Sequence, residues 1–423
     1  MKILTVGLGY IGLPTAITFA LHGQEVVGVD KNQHVVEMLN NGKVHIEEPL
    51  LQEALQEVRK QQNLKAQLNV EPADVFIVAV PTPNCEDEYK GCDLTYVVDA
   101  VKNIVPYLQA GNTVIIESTI SPRTTEDVVK PMIEKAGFEV GEDIFLVHCP
   151  ERVLPGKVLY ELVFNNRIIG GVTPACTKKG REIYGVFVQG ELIEAKASTA
   201  ELSKLMENTY RDVNIALANE LVQIGAKLDI DALEVIRMAN QHPRVNIHQP
   251  GPGVGGHCLA VDPYFIVAKA PEEAQLIQRA RKVNSQMPHF VVEQVLDILE
   301  KHDGKTISIL GLAYKGNIDD MRESPAVSIA NQLRSMSGIE IRTYDPHVKE
   351  ADTDSLEEVL QDSDIALILT DHDEFKELPE NAVKVMKQRV LFDTRNCVVS
   401  DASFEEHYTL GNISAVKNAE QAL

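Results

Sequence analysis

Residues 7 to 12 read Gly7-Leu8-Gly9-Tyr10-Ile11-Gly12, directly after the apolar run Ile3 to Val6 and directly before a helix-compatible stretch, Leu13 to His22. The glycines permit a tight turn, close approach of backbone to a pyrophosphate and close packing of helix on strand, while the free N–H groups of the helix end face the phosphates. The next strand, Glu25 to Val29, ends in Asp30, near the ~20-residue offset at which a carboxylate binds a ribose 2′-hydroxyl. That carboxylate would repel a 2′-phosphate, although Lys31 beside it could soften the effect. NAD rather than NADP is therefore the expected cofactor, with Gly7, Gly9, Tyr10, Ile11, Gly12 and Asp30 in its site.

At 423 residues the chain exceeds what one core serves, so two or three domains are expected. Strands and helices alternate through the first part, and each strand ends in a polar or proline-marked segment: Pro81-Thr82-Pro83, Ser118-Thr119 and Cys149-Pro150-Glu151. In an open parallel sheet ligands sit beyond the carboxyl ends of strands, so Pro81, Thr82, Thr119 and Glu151 are expected near cofactor and reacting carbon. From Ser198 to Ile224 apolar residues recur at three- and four-residue steps without Pro or Gly, which predicts one long helix. A second helical stretch, Ala274 to Glu300, is expected to break at Pro288. Around Lys305 the strand–helix rhythm returns, with a turn Gly311-Leu312-Ala313-Tyr314-Lys315-Gly316 that lacks the full dinucleotide fingerprint. The expected class is α/β: an N-terminal Rossmann dinucleotide-binding domain (1–195), a central all-helical domain (196–302) and a C-terminal Rossmann-like α/β domain (303–423).

A net charge of −22 argues against nucleic acid and against an anionic membrane surface as partners, so an anionic substrate must be met by locally placed Lys and Arg. Apolar runs are strand-length, far below the ~20 residues of a membrane span. No basic segment with an apolar core opens the chain, which fits a cytoplasmic protein. Six cysteines without a C-x-x-C pair or regular spacing fit free thiols rather than a disulfide framework or a zinc site, and no metal is expected.

One of those thiols stands apart. Residues 250 to 263 read Pro-Gly-Pro-Gly-Val-Gly-Gly-His-Cys-Leu-Ala-Val-Asp-Pro, setting Cys258 four residues before Asp262. A lone cysteine is more often a small buried hydrophobe. Here four glycines in six residues would leave room for a ligand, and a thiolate could attack a carbonyl carbon. On the long helix, Lys204 and Asn208 are four apart and share a face. They would make a donor pair for a developing oxyanion; the bland alternative is a solvated Lys204 paired with Glu201 or Glu207.

Taken in order, the Gly7 to Gly12 fingerprint, Glu117-Ser118-Thr119, Cys149-Pro150-Glu151-Arg152, Lys204 with Asn208, Gly-Gly-His257-Cys258 with Asp262, and Gly311 to Lys315 with Arg322-Glu323-Ser324 resemble the nucleotide-sugar 6-dehydrogenases, the family of UDP-glucose dehydrogenase. The resemblance spans nearly the whole chain. In wording, the cysteine loop is most similar to the branch acting on UDP-N-acetyl-D-mannosamine. Pro155 stands where the UDP-glucose enzymes carry a second glutamate, so that glutamate's role is absent or falls to another group.

The resemblance implies a four-electron oxidation of a sugar C6 hydroxyl to a carboxylate, using NAD twice and one water. Lys204 and Asn208 would stabilise the oxygen, with Asp262 or a water near Thr119 as proton acceptor. Cys258 would carry a thiohemiacetal and then a thioester, and Glu151 would be the base for its hydrolysis. It further implies substrate contacts at Arg152, His257, Tyr314, Lys315 and Arg395, a cofactor or domain-interface contact at Arg322, and an Arg244 that reaches a neighbouring subunit of a homodimer or larger homo-oligomer. UDP-N-acetyl-D-mannosamine is the expected substrate, feeding a surface polysaccharide such as a capsule. UDP-N-acetylglucosamine and UDP-glucose are the alternatives. A two-electron hydroxyacid dehydrogenase would need neither the thiol nor the second α/β domain, and a silent NAD-binding module would tolerate any residue at 258.

Overall fold

The computed structural model describes residues 1–154 and 156–418. Two compact units emerge, one of Met1–Glu207 with Tyr264–Pro271, the other of Asn208–Pro263 with the chain from Glu272 onward. Pro155 lies outside the described residues.

The first unit is built on eight strands: β1 (Lys2–Val6), β2 (Glu25–Val29), β3 (Leu64–Gln67), β4 (Val75–Val78), β5 (Thr113–Ile116), β6 (Phe145–His148), β7 (Arg167–Gly171) and β8 (Leu192–Lys196). They lie in the order β3-β2-β1-β4-β5-β6-β7-β8. All neighbours are parallel except β6 and β7. Strands covered on both faces read as continuous apolar runs, and Val75-Phe76-Ile77-Val78 is buried throughout. The strand order reverses at β1, whose Val6 pairs with Val29 on one side and Val78 on the other. Such a switch point opens a crevice beyond the strand ends, and the Gly7 turn sits there.

A helix of 32 residues, Ala197–Leu228, leads into the second unit. Among the described residues the chain from 197 to 305 contains helices and no strand. The stretch expected to break at Pro288 is instead one continuous helix, Gln275–Lys301, with Pro288 inside it. Proline removes one backbone bond there, and the buried stripe of Met287, Val291, Val295 and Ile298 around it outweighs that loss, since packing supplies most helix stability in proteins.

Beyond it a five-stranded parallel sheet forms from β9 (Thr306–Leu310), β10 (Glu340–Tyr344), β11 (Ile365–Ile368), β12 (Val390–Asp393) and β13 (Glu406–Thr409). Its order, β10-β9-β11-β12-β13, again reverses beside the first strand of the unit. The expected architecture, a Rossmann unit, a helical middle and a Rossmann-like α/β unit, is the one observed. No helix among the described residues is long and apolar enough to cross a membrane.

Candidate active site

At the β1 switch point each glycine of the turn has its own reason. Gly7 lies at φ +93°, and a Cβ there would run into the Ala79 carbonyl; a Cβ on Gly12 would run into the Gly7 carbonyl. Around Gly9 a Cβ meets nothing within 4 Å, so this glycine leaves space on the outer side of the turn rather than inside the protein. The Asp30 carboxylate accepts the Leu8 N–H at 3.0 Å through Oδ2 and the Asn32 N–H at 2.9 Å through Oδ1. It therefore braces the turn, and each oxygen keeps a further lone pair for a ribose hydroxyl. Tyr10 is exposed and Ile11 half-buried at the start of helix Gly12–Leu21. Open space at Gly9, a helix N-terminus behind it and a fixed carboxylate at Asp30 fit a dinucleotide pyrophosphate and ribose. After β4 and β5 the chain is cross-tied: Val80 N–H donates to Ser118 Oγ at 2.8 Å, and Thr82 Oγ1 donates to the Thr119 carbonyl at 2.6 Å. Pro81 is exposed beside them.

Behind this rim lies a buried charged cluster that the sequence reading missed. Arg167 Nη2 donates to Glu117 Oε1 at 2.9 Å and to Glu151 Oε2 at 2.6 Å, and Arg167 Nε donates to Cys149 Sγ at 3.0 Å. Tyr184 donates its hydroxyl to Glu117 Oε1 at 2.6 Å. An arginine opening an otherwise apolar strand was the available signal, because a buried cation needs a carboxylate partner. Burial pushes the Glu117 carboxyl up to about 7, against the pull of Arg167 and with a further push from Glu151. Glu151 also accepts the Arg152 N–H at 2.7 Å through Oε1. The Arg152 side chain pairs with Glu207 at 2.7 Å and donates to the Asn166 carbonyl at 2.5 Å.

Lys204 is 8% exposed, which removes the solvated-lysine alternative. Nearby, Glu201 accepts the N–H groups of Arg123 and Thr125, and Glu207 holds Arg152.

In the second unit, Cys258 is half-buried and opens a helical turn that runs into helix Asp262–Lys269; its carbonyl accepts the N–H groups of Val261 at 3.0 Å and Asp262 at 2.9 Å. Asn208 Nδ2 donates to Asp262 Oδ2 at 2.7 Å. The loop glycines do not leave room for a ligand as the sequence suggested. A Cβ on Gly256, at φ +82°, would meet the Tyr314 ring at 2.8 Å; one on Gly253 would meet Pro325 at 3.0 Å, and one on Gly251 would meet Arg395 Nη1 at 2.6 Å. Protein atoms occupy that space, so the glycines seat the loop against Tyr314, Pro325 and Arg395.

The remaining expected residues divide by environment. Tyr314 is half-buried, and burial, then Asp320 and Cys258, raise its hydroxyl above the usual range. Arg395 is half-buried and pairs with Asp371 at 3.0 Å. Arg322 forms a two-pronged pair with Asp320, Nη2 to Oδ2 at 2.6 Å and Nε to Oδ1 at 3.0 Å. Lys315, Arg244 and His257 are exposed.

The UDP-glucose/GDP-mannose dehydrogenase family matches with its NAD binding domain over residues 1–188, its central domain over 198–286 and its UDP binding domain over 308–400. The structure of the UDP-N-acetyl-mannosamine dehydrogenase Cap5O from S. aureus is 55% identical, with a TM-score of 0.93 over 98% of this chain and 100% of that one. A UDP-N-acetyl-D-mannosamine dehydrogenase of Methanococcus maripaludis is 46% identical, over 93% of this chain and 92% of the relative. An NDP-N-acetyl-D-galactosaminuronic acid dehydrogenase of Ralstonia solanacearum is 45% identical, over 93% of this chain and 95% of the relative. This chain belongs to the UDP-glucose/GDP-mannose dehydrogenase family and is an NAD-dependent dehydrogenase.

Proposed function

We propose that the protein oxidises the C6 hydroxyl of UDP-N-acetyl-D-mannosamine to the carboxylate of UDP-N-acetyl-D-mannosaminuronate, by two hydride removals with Cys258 as covalent nucleophile. The observation that carries this reading is the position of Cys258 at the head of a helical turn, with its carbonyl accepting the N–H groups of Val261 and Asp262. The partial positive charge of that end favours negative charge on sulfur.

Bound NAD supplies the hydride acceptor for both oxidations. Gly7, Gly9, Tyr10, Ile11, Gly12, Asp30, Pro81, Thr82 and Thr119 would hold it, with Arg322 contributing. Lys204 and Asn208 donate to the C6 oxygen as its proton leaves to Asp262 or to a water near Thr119. The Cys258 thiolate adds to the aldehyde carbon and forms a thiohemiacetal. Loss of a second hydride leaves a thioester. Glu151 then takes a proton from water as the water attacks, the C–S bond breaks, and Cys258 regains its thiolate. Arg152, His257, Tyr314, Lys315 and Arg395 are assigned to the UDP-sugar.

The domain divisions 1–195, 196–302 and 303–423 follow this division of labour. Leu202, Met206, Tyr210, Leu217, Ile224 and Leu228 are exposed apolar residues recurring along the long helix, which supports a homodimer built on that helix with Arg244 reaching the neighbouring subunit. Six free cysteines fit a reducing cytoplasm, and a sugar uronate made there would feed a surface polysaccharide.

Relatives named for N-acetylated sugars support an acetamido substrate. An unmatched buried amide costs ~1–3 kcal/mol, enough for sharp selection. The galactosaminuronate relative keeps a second N-acetylhexosamine in view, alongside UDP-N-acetylglucosamine and UDP-glucose. The test is stoichiometry and selectivity together. Each substrate should yield two NADH, Cys258→Ala should abolish net turnover, and Cys258→Ser should stall at an ester. Turnover of Cys258→Ala at the wild-type rate sinks the covalent route; a higher kcat/KM for another UDP-sugar sinks only the choice of sugar.

A further inference from the structure

We infer that Glu117 is a positioning residue for Glu151, acting through Arg167 to set how readily the Glu151 carboxylate takes a proton from water. The inference rests on the reading of Glu151 as the base of thioester hydrolysis.

One guanidinium nitrogen serves two carboxylates. Arg167 Nη2 lies 2.9 Å from Glu117 Oε1 and 2.6 Å from Glu151 Oε2, and the three side chains are 5%, 0% and 8% exposed. A structural ion pair needs only one carboxylate, and burying a second against the same cation costs desolvation without a cation to match it. What the second carboxylate adds is competition. When Glu117 is ionised the two carboxylates divide Arg167 and repel one another; when Glu117 is neutral, Arg167 serves Glu151 alone and holds the negative charge there more strongly.

The groups around Glu117 allow both states. Arg167 faces it from β7, Tyr184 from helix Pro174–Tyr184, and Cys149 and Glu151 from the segment after β6. Thr15, from helix Gly12–Leu21, is polar and uncharged. His148, at the end of β6, adds no charge at neutral pH, because burial, with Lys204 contributing, pushes it down to about 3. The Arg167 guanidinium stacks over the Tyr184 ring at 4.4 Å, which fixes the fork that both carboxylates share. With burial raising the Glu117 carboxyl to about 7, the exchange between the two states falls in the working range of pH.

The experiment follows thioester decay by acid quench across pH in wild type, Glu117→Gln, Tyr184→Phe and Glu151→Gln. Glu117→Gln should move the acid limb of decay down by about one pH unit, with a slower plateau, as expected when one nearby like charge is lost. Tyr184→Phe removes a bond that favours ionised Glu117, so its limb should move the same way by less; it also carries the test should Glu117→Gln fold poorly. Slow decay in Glu151→Gln with the limb unmoved in the other two variants overturns the inference alone. Wild-type decay in Glu151→Gln overturns the base assignment and the inference with it.

Discussion

The Asn208 side-chain amide donates to Asp262 Oδ2 at 2.7 Å, tying the long helix to the first residue of the helix that follows the cysteine loop. The bond fixes which way the Asn208 amide faces and leaves its second N–H for another acceptor. Asp262 is 3% exposed, so its carboxylate is held in place rather than solvated.

Asp262→Asn separates holding from proton transfer. The new amide can present its oxygen to Asn208, so the fold should survive with little change in melting temperature. If Asp262 takes the C6 proton, kcat should fall roughly 10²–10⁴-fold, the usual worth of a general base. Unchanged kcat at saturating sugar and NAD would move that role to the water near Thr119.

Asp30 is predicted to select NAD, but the structure changes what its removal does. Its oxygens accept the N–H groups of Leu8 and Asn32, so Asp30→Ala loosens the glycine turn as well as freeing the 2′-position. Lys31, next to it, has its ammonium 4.4 Å from the Tyr96 ring centre rather than on Asp30. We expect NAD affinity to fall by ~1.5–3 kcal/mol, the worth of a hydrogen bond to a charged group, or roughly tenfold to a hundredfold. NADP should gain relative to NAD while neither binds tightly. Titration of both cofactors into the variant checks this, and an unchanged NAD constant would contradict it.

The first turn, the long helix and the return of strands near Lys305 were legible because each is a local pattern: glycine spacing, helical period, apolar run. β7 and β8 were not, since Arg167-Ile-Ile-Gly-Gly and Leu192-Ile-Glu-Ala-Lys are short and break their apolar runs with glycine or charge. Pro288 misled for the opposite reason, a local signal outweighed by packing. At the site, residue types such as Cys258, Asp262 and Asp30 could be read, but partners could not. That Glu117 and Glu151 share Arg167 depends on three strands meeting, which no spacing in the chain encodes. The glycines of the cysteine loop likewise show what they avoid, Tyr314 and Arg395, only once the fold brings those side chains to them.

Asp345 repeats in the second α/β unit the bracing that Asp30 gives the first, and its effect on stability should be readable from pH. Its carboxylate accepts N–H groups from Leu312 at 2.6 Å, Ala313 at 3.1 Å, His347 at 2.9 Å and Val348 at 3.1 Å, and bonds His372 Nε2 at 3.0 Å. Burial opposes ionisation, yet His372 and the backbone donors outweigh it and hold the carboxyl at about 2, against 3.8 ordinarily. A carboxyl depressed in the folded state stabilises fully above its unfolded pKa and loses that contribution as pH falls through the folded one. The contribution is about 2 kcal/mol, present above pH ~4 and lost toward pH ~2. In urea unfolding, Asp345→Asn should trail wild type near neutrality and close the gap between those limits. A gap constant down to pH ~2 would show that the charge is not what stabilises.

Gly9 and Gly12 make a paired test of where the pyrophosphate sits. A Cβ on Gly9 meets no protein atom within 4 Å, and Gly9 is not among the glycines at positive φ. Gly9→Ala should therefore fold with an unaltered melting temperature, while its methyl occupies the outer face of the turn and cuts NAD affinity at least tenfold, about 1.4 kcal/mol. A Cβ on Gly12 runs into the Gly7 carbonyl, so Gly12→Ala should lose stability before any ligand is added, by roughly 1–3 kcal/mol as for other overpacked sites. Thermal melts of both variants without cofactor, followed by NAD titration, separate the two effects. Wild-type NAD affinity in Gly9→Ala would mean that the cofactor's phosphates do not approach this face of the turn.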